Sequence, residues 1–141
     1  MQAQKNGAGS ALGTGILLSM GDFRNLRAWR AALELAVLSR DAIKRLPESE
    51  RFALAEQWRR AAYGVALNIA EGASRRGPKE FRRYLDIARS SLHEIESILA
   101  LVEALGYLTQ SELAQAKVTR DNCAKMVYGL LRKMTASQVG R

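Results

Sequence analysis

The chain has 141 residues, 48% hydrophobic but only 6% aromatic, with 22 Lys and Arg against 14 Asp and Glu. That length suits a single domain able to bury its own core, and a net charge of +8 points to a polyanion as partner, with a basic surface serving only solubility as the alternative. One cysteine, Cys123, excludes an intrachain disulfide and any multi-cysteine metal cluster within one chain, and fits a reducing cytoplasm.

Residues 1 to 20 are rich in Gly, Ala and Ser without a sustained period, which predicts a flexible tail ahead of a domain over residues 21 to 136. Gly7, Gly9, Gly13 and Gly15 lack the spacing and the closing Lys-Ser/Thr of a phosphate loop. The apolar stretch from Gly15 to Met20 is far too short to span a bilayer, so no membrane partner is expected.

Helical periodicity starts at Leu26. Leu26, Trp29, Leu33, Ala36, Val37, Ile43 and Leu46 predict a first helix that Pro47 ends, because proline disfavours α geometry in the residue before it. Glu48, Ser49 and Glu50 supply capping groups for a second helix that runs to about Gly72. Gly77-Pro78 opens a third helix over Lys79 to Leu105, which Gly106 can terminate. Thr109-Gln110-Ser111-Glu112 reads as a capping box for a fourth helix, extending to about Met134 and followed by a C-terminal tail over 137 to 141. No segment alternates as a strand would. Four helices with short links predict an all-α, antiparallel up-down-up-down four-helix bundle, with a low-aromatic interior of Ala, Leu, Ile and Val.

Two constellations carry the functional argument. In the second helix Trp58, Ala62, Val65 and Ile69 form an apolar stripe, while Gln57, Arg60, Gly64, Asn68 and Glu71 step by three and four along one side. That row is either a solvated face or a packed polar seam. Gly64 favours the seam, because glycine costs ~1 kcal/mol in a helix interior and is better explained by the close approach of another backbone. Within the seam Glu71 could pair with an arginine and Asn68 could bridge to the third helix.

The second constellation is Arg75, Arg76, Lys79, Arg82, Arg83 and Arg89, offset only by Glu80 and Asp86, so half of the net charge sits in one short stretch. Arginine binds phosphate bidentately, and the stretch lies at a helix N-terminus, so these six are the candidate nucleic-acid-binding residues; a solvated charged face is the alternative. Lys117, Arg120, Lys125, Arg132 and Lys133 form a more diffuse set on the fourth helix. No aromatic-rich single-strand platform and no DNA-reading motif is visible, so binding should be directed at the backbone. His93 stands alone, Cys123 is spaced as a small core residue, and no acid-base pair, metal motif or cofactor motif is present. The chain is expected not to be an enzyme, with no catalytic or metal-ligating residues and no cofactor.

The chain resembles the four-helix-bundle family first met as proteins encoded by intervening sequences in bacterial 23S ribosomal RNA genes. The resemblance rests on Leu26 and Trp29, Gln57, Arg60-Ala61-Ala62, Asn68-Ile69-Ala70-Glu71-Gly72, Arg75, Phe81, Tyr84-Leu85, Ile87-Ala88, Ser90-Ser91, Glu94 and Gly106-Tyr107, across most of residues 23 to 108. Arg89-Ser90 stands where members commonly have Gly-Ser. The family is similar to the accessory variability determinants that assist reverse transcriptases of diversity-generating retroelements. The resemblance implies a pentameric ring that handles nucleic acid, and with the backbone-directed contacts expected above the partner would be RNA or DNA without sequence preference. A module that docks a partner protein, such as a reverse transcriptase, is the reading from another class.

Overall fold

Four helices carry the periodicity: α1 (Arg27–Ile43), α2 (Leu54–Ala73), α3 (Gly77–Ala104) and α4 (Gln110–Val139), with short 3-10 turns at Phe23–Asn25 and Glu48–Glu50. The computed structural model describes residues 22–139. The tail expected over residues 1 to 20, with its four glycines, lies outside the described residues, as do residues 140 and 141. Each helix packs on the next in sequence and α1 closes the square against α4. With links this short, successive helices are antiparallel, and the result is the up-down-up-down bundle. No strand occurs among the described residues.

α2 is the innermost helix: half of its 20 residues are buried, including Trp58, Val65 and Ile69, which are fully enclosed. The core is continuous and low in aromatics, with 10 alanines among the 29 buried apolar residues of the described chain. Such small side chains let helices approach closely, as the composition foreshadows.

The periodicity of α1 is read correctly at its ends, where Ile43 is buried and Leu26, Trp29 and Leu46 pack against the core, but out of phase in its middle. Ala28, Ala32, Leu35, Ser39 and Ala42 face the core, whereas Leu33 and Val37 are each 46% exposed. The reason is size, since the buried row is mostly Ala and Ser and the larger apolar residues beside it look like the natural core face. Trp29 is half-buried and meets Phe23 edge-on at 4.9 Å, closing the bundle where α1 begins.

The start of α2 also differs from expectation. Glu48, Ser49 and Glu50 form a separate turn, and α2 begins at Leu54. Glu50 still reaches the helix, accepting the Leu54 amide at 3.4 Å through one carboxylate oxygen and the Tyr107 hydroxyl at 2.7 Å through the other. This fastens the α1–α2 link to the α3–α4 link. The bond pushes the Tyr107 phenol above its ordinary range, because ionisation would forfeit the donated proton.

The other boundaries follow the sequence chemistry. Gly106 has φ +79° just past α3, where the Gly106 and Tyr107 amides donate to Glu103 and Val102, the paired bonds of a Schellman ending. Thr109 and Glu112 form the expected reciprocal box, with Glu112 accepting the Thr109 amide at 2.8 Å and the Thr109 hydroxyl accepting the Glu112 amide at 3.1 Å. Glu112 also pairs with Arg45. α4 continues through Val139 rather than giving way to a tail at 137, since no Gly or Pro falls between Leu130 and Val139 and Gln138 accepts a bond from Arg82 at 2.9 Å.

The Thr109 amide first, and then Arg45, hold the Glu112 carboxyl below its usual range. A lowered folded-state pKa contributes stability that is full above the unfolded value, about 4.3, and is lost as pH falls through the folded value. Glu112→Gln should therefore melt below the native protein at neutral pH. The gap in Tm should close as both are titrated from about pH 4.3 downward.

Candidate nucleic-acid interface

The Asn68 to Gly72 segment closes α2 against the first turns of α3. A Cβ built on Gly72 would lie 2.7 Å from Tyr84 Cβ and 2.9 Å from the Phe81 ring. Gly72 is thus inside the helix rather than beyond its end, and it is glycine because α3 occupies the space of a side chain. This approach holds Tyr84 half-buried at the bundle end, beside the basic stretch.

Arg75 donates to the Tyr84 hydroxyl at 3.2 Å and its guanidinium lies 5.3 Å from the ring centroid; the Arg83 guanidinium lies 4.5 Å from the same centroid. Each has a carboxylate: Arg75 pairs with Glu71, and Arg83 with Glu80 at 3.3 Å. Those carboxylates are the first cause of the raised pKa of both guanidiniums. Exposed pairs of this kind add little stability, but they cancel charge locally.

The remaining members of the sequence-predicted set are exposed and, among the described residues, have no carboxylate within 4.0 Å: Arg76, Lys79, Arg82 and Arg89. The bundle therefore divides the six cations. Arg75 and Arg83 lie over Tyr84 and are neutralised, while Arg82 and Arg89 lean toward α4, where they line a groove with Tyr128 and Arg132. An adjoining recess is lined by Arg89, His93, Lys125 and Tyr128. Lys125 and Arg132 likewise have no carboxylate partner among the described residues. Arg120 is committed to the fold instead: it is buried, donates to the Leu92 carbonyl at 3.1 Å and pairs with Asp121 at 2.6 Å. Lys117 pairs with Glu103 at 2.8 Å.

The polar seam lies on the opposite side of α3. Gln57, Arg60, Gly64 and Asn68 line a groove of about 670 Å³ between α2 and α3, walled across by Ser91 and Glu94. Gln57 donates to Glu94 at 2.9 Å. Asn68 does not bridge to α3; it donates back to the Gly64 carbonyl at 2.8 Å. Among the described residues no backbone of another helix abuts Gly64, since its nearest neighbour from another helix is the Ser91 hydroxyl at 3.4 Å from a built Cβ. Glu71 has its arginine, Arg75, four residues on, in the link just past the end of α2.

Cys123 is fully buried, its thiol 3.7 Å from the Ala28 carbonyl and pushed up to about 12 by burial, so it packs as a small apolar residue. Among the described residues no group of His, Cys, Asp and Glu is placed to hold a metal ion, and no helix is long and apolar enough to cross a membrane. Sequence reasoning alone does not single out Tyr128. Its signal is the 121, 125, 128, 132 spacing on α4, which acquires meaning only beside Arg82 and Arg89.

A protein-family model described as 23S rRNA-intervening sequence protein matches residues 24–129, most of the bundle. No curated protein matches the chain.

The two interior glycines of α2 should respond oppositely to the same change. Gly72→Ala must displace α3 and should cost about 1–3 kcal/mol, whereas Gly64→Ala meets only a rotatable hydroxyl and should gain up to about 1 kcal/mol from helix propensity. Denaturant titration of both variants checks this.

Proposed function

The chain belongs to the 23S rRNA-intervening sequence protein family, and from that premise we propose a cytoplasmic homo-oligomer that binds RNA or DNA through backbone phosphates in a non-enzymatic, accessory role. The observation that carries this reading is the set of exposed cations without carboxylate partners among the described residues, running from the N-cap to the middle of α3: Arg76, Lys79, Arg82 and Arg89. An unpaired guanidinium at the surface keeps its full charge and its donor fork for phosphate. Because no base-reading motif accompanies these cations, the contacts carry little sequence information.

Self-association is assigned to the α2–α3 face. Phe52, 80% exposed, lines the open groove at Gly64, and Leu67 on α2, 68% exposed, and Ile87 on α3 are open to solvent as well. A second copy covering this face would remove large apolar groups from water, and a pentamer, the assembly that the resemblance implies, repeats one such contact around a ring. The repetition multiplies weak phosphate contacts through avidity. The same exposed residues also suit a docked partner protein such as a reverse transcriptase, which is the second reading.

The two readings separate in one set of measurements on the wild type, on Leu67→Glu, and on a variant with Arg75, Arg76, Lys79, Arg82 and Arg83 all replaced by Gln. Light scattering should place the wild type well above its 15.6 kDa chain mass and Leu67→Glu near it, with unchanged circular dichroism. Nucleic-acid affinity should fall steeply with salt, and the multiple Gln variant should flatten the logarithmic slope by roughly 0.7–0.9 for each phosphate it no longer neutralises. A wild type that stays monomeric at micromolar concentration and binds no nucleic acid at low salt would favour the protein-docking reading.

A further inference from the structure

The α3–α4 groove has the chemistry of a site for one strand rather than for a duplex. Two recesses of about 530 and 510 Å³ share Arg89 and Tyr128 and so adjoin one another as a channel-like groove between the helices. Arg82 and Arg89 stand on one wall, Lys125 and Arg132 on the other, none with a carboxylate within 4.0 Å among the described residues. The Asp121 carboxylate is already held by Arg120. With Asp86 and Glu96 counted, the channel remains net positive.

Tyr128 sits between the cations, 58% exposed, with the Arg132 guanidinium 5.9 Å from its ring centroid. Burial in the core does not explain an aromatic this open. Its ring offers a surface on which an unpaired base can stack while the cations on either side meet the flanking phosphates. A duplex cannot use it, because its bases are already stacked on one another. The two cations on each wall are seven residues apart, about 10 Å along the helix, which spans about two or three nucleotides.

We infer that this channel takes a single strand of nucleic acid, with Tyr128 stacking on a base and Arg82, Arg89, Lys125 and Arg132 neutralising its backbone. The inference rests on the nucleic-acid reading above and specifies its ligand as unpaired RNA or DNA.

The test is fluorescence anisotropy of the full chain with a labelled oligo-dT strand and with a duplex of the same length, at low and moderate salt, for wild type, Tyr128→Ala and Tyr128→Phe. Tyr128→Ala should weaken single-strand binding by roughly 5- to 100-fold, leave duplex binding and the salt slope unchanged, and be rescued by Tyr128→Phe. Circular dichroism should not distinguish the variants, because the side chain lies at the surface. If wild type binds the strand and Tyr128→Ala binds it equally well, or loses strand and duplex alike, the stacking site is wrong while the phosphate-binding reading stands. If wild type binds neither form, that reading fails and the channel assignment fails with it.

Discussion

The rest of the structure depends on the approach of α2 to α3 at Gly72. A side chain there would overlap Tyr84 and Phe81, so the missing Cβ sets how near the two helices come and where the first turns of α3 lie. Because native packing tolerates little extra volume, this approach is effectively rigid. Tyr84, held by it, then becomes the surface over which Arg75 and Arg83 lie. A steric requirement in the core thereby determines the charge pattern at the surface.

That pattern is a division more than a ridge. Along one helix, arginines a few residues apart differ in what surrounds them: Arg83 has Glu80 and an aromatic face, whereas Arg82 and Arg89 face across to α4 and its unpaired Lys125 and Arg132. The neutralised pair borders the α2–α3 face, where exposed apolar residues surround an open groove. Of the uncompensated set, Arg82 and Arg89 border the α3–α4 channel. One helix can thus present a surface suited to another protein chain on one side and a surface suited to phosphate on the other, without the two competing.

The bundle is legible in the sequence because its signals are local. Pro47, Gly106, the Thr109 to Glu112 box and the apolar stripe of α2 each act within a few residues, and each fixes a boundary or a face. The phase of α1 is misleading because its core row is made of Ala28, Ala32 and Ala42, which carry less hydrophobic signal than the exposed Leu33 and Val37 beside them. The six basic residues can be named from sequence, and the Arg75–Glu71 and Arg83–Glu80 pairs are local, but that both arginines lie over Tyr84 while Arg82 and Arg89 face α4 depends on how the helices pack. Tyr128 is invisible for the same reason, since nothing in its own neighbourhood shows that α3 supplies the facing cations. The requirement at Gly72 is likewise hidden, because a glycine near a helix end reads as a cap until the neighbouring helix is in place.

The claim that charge pairing within the bundle decides which arginines meet phosphate is tested most directly by comparing the salt dependence of nucleic-acid affinity for two double variants. One is Arg82→Gln with Arg132→Gln, and the other is Arg75→Gln with Arg83→Gln. Both remove two positive charges from the protein. The first should flatten the logarithmic slope by roughly 0.7–0.9 for each phosphate left without its cation, and the second should leave it close to the wild-type value. Equal flattening in both would mean that binding follows net charge alone, contradicting the account.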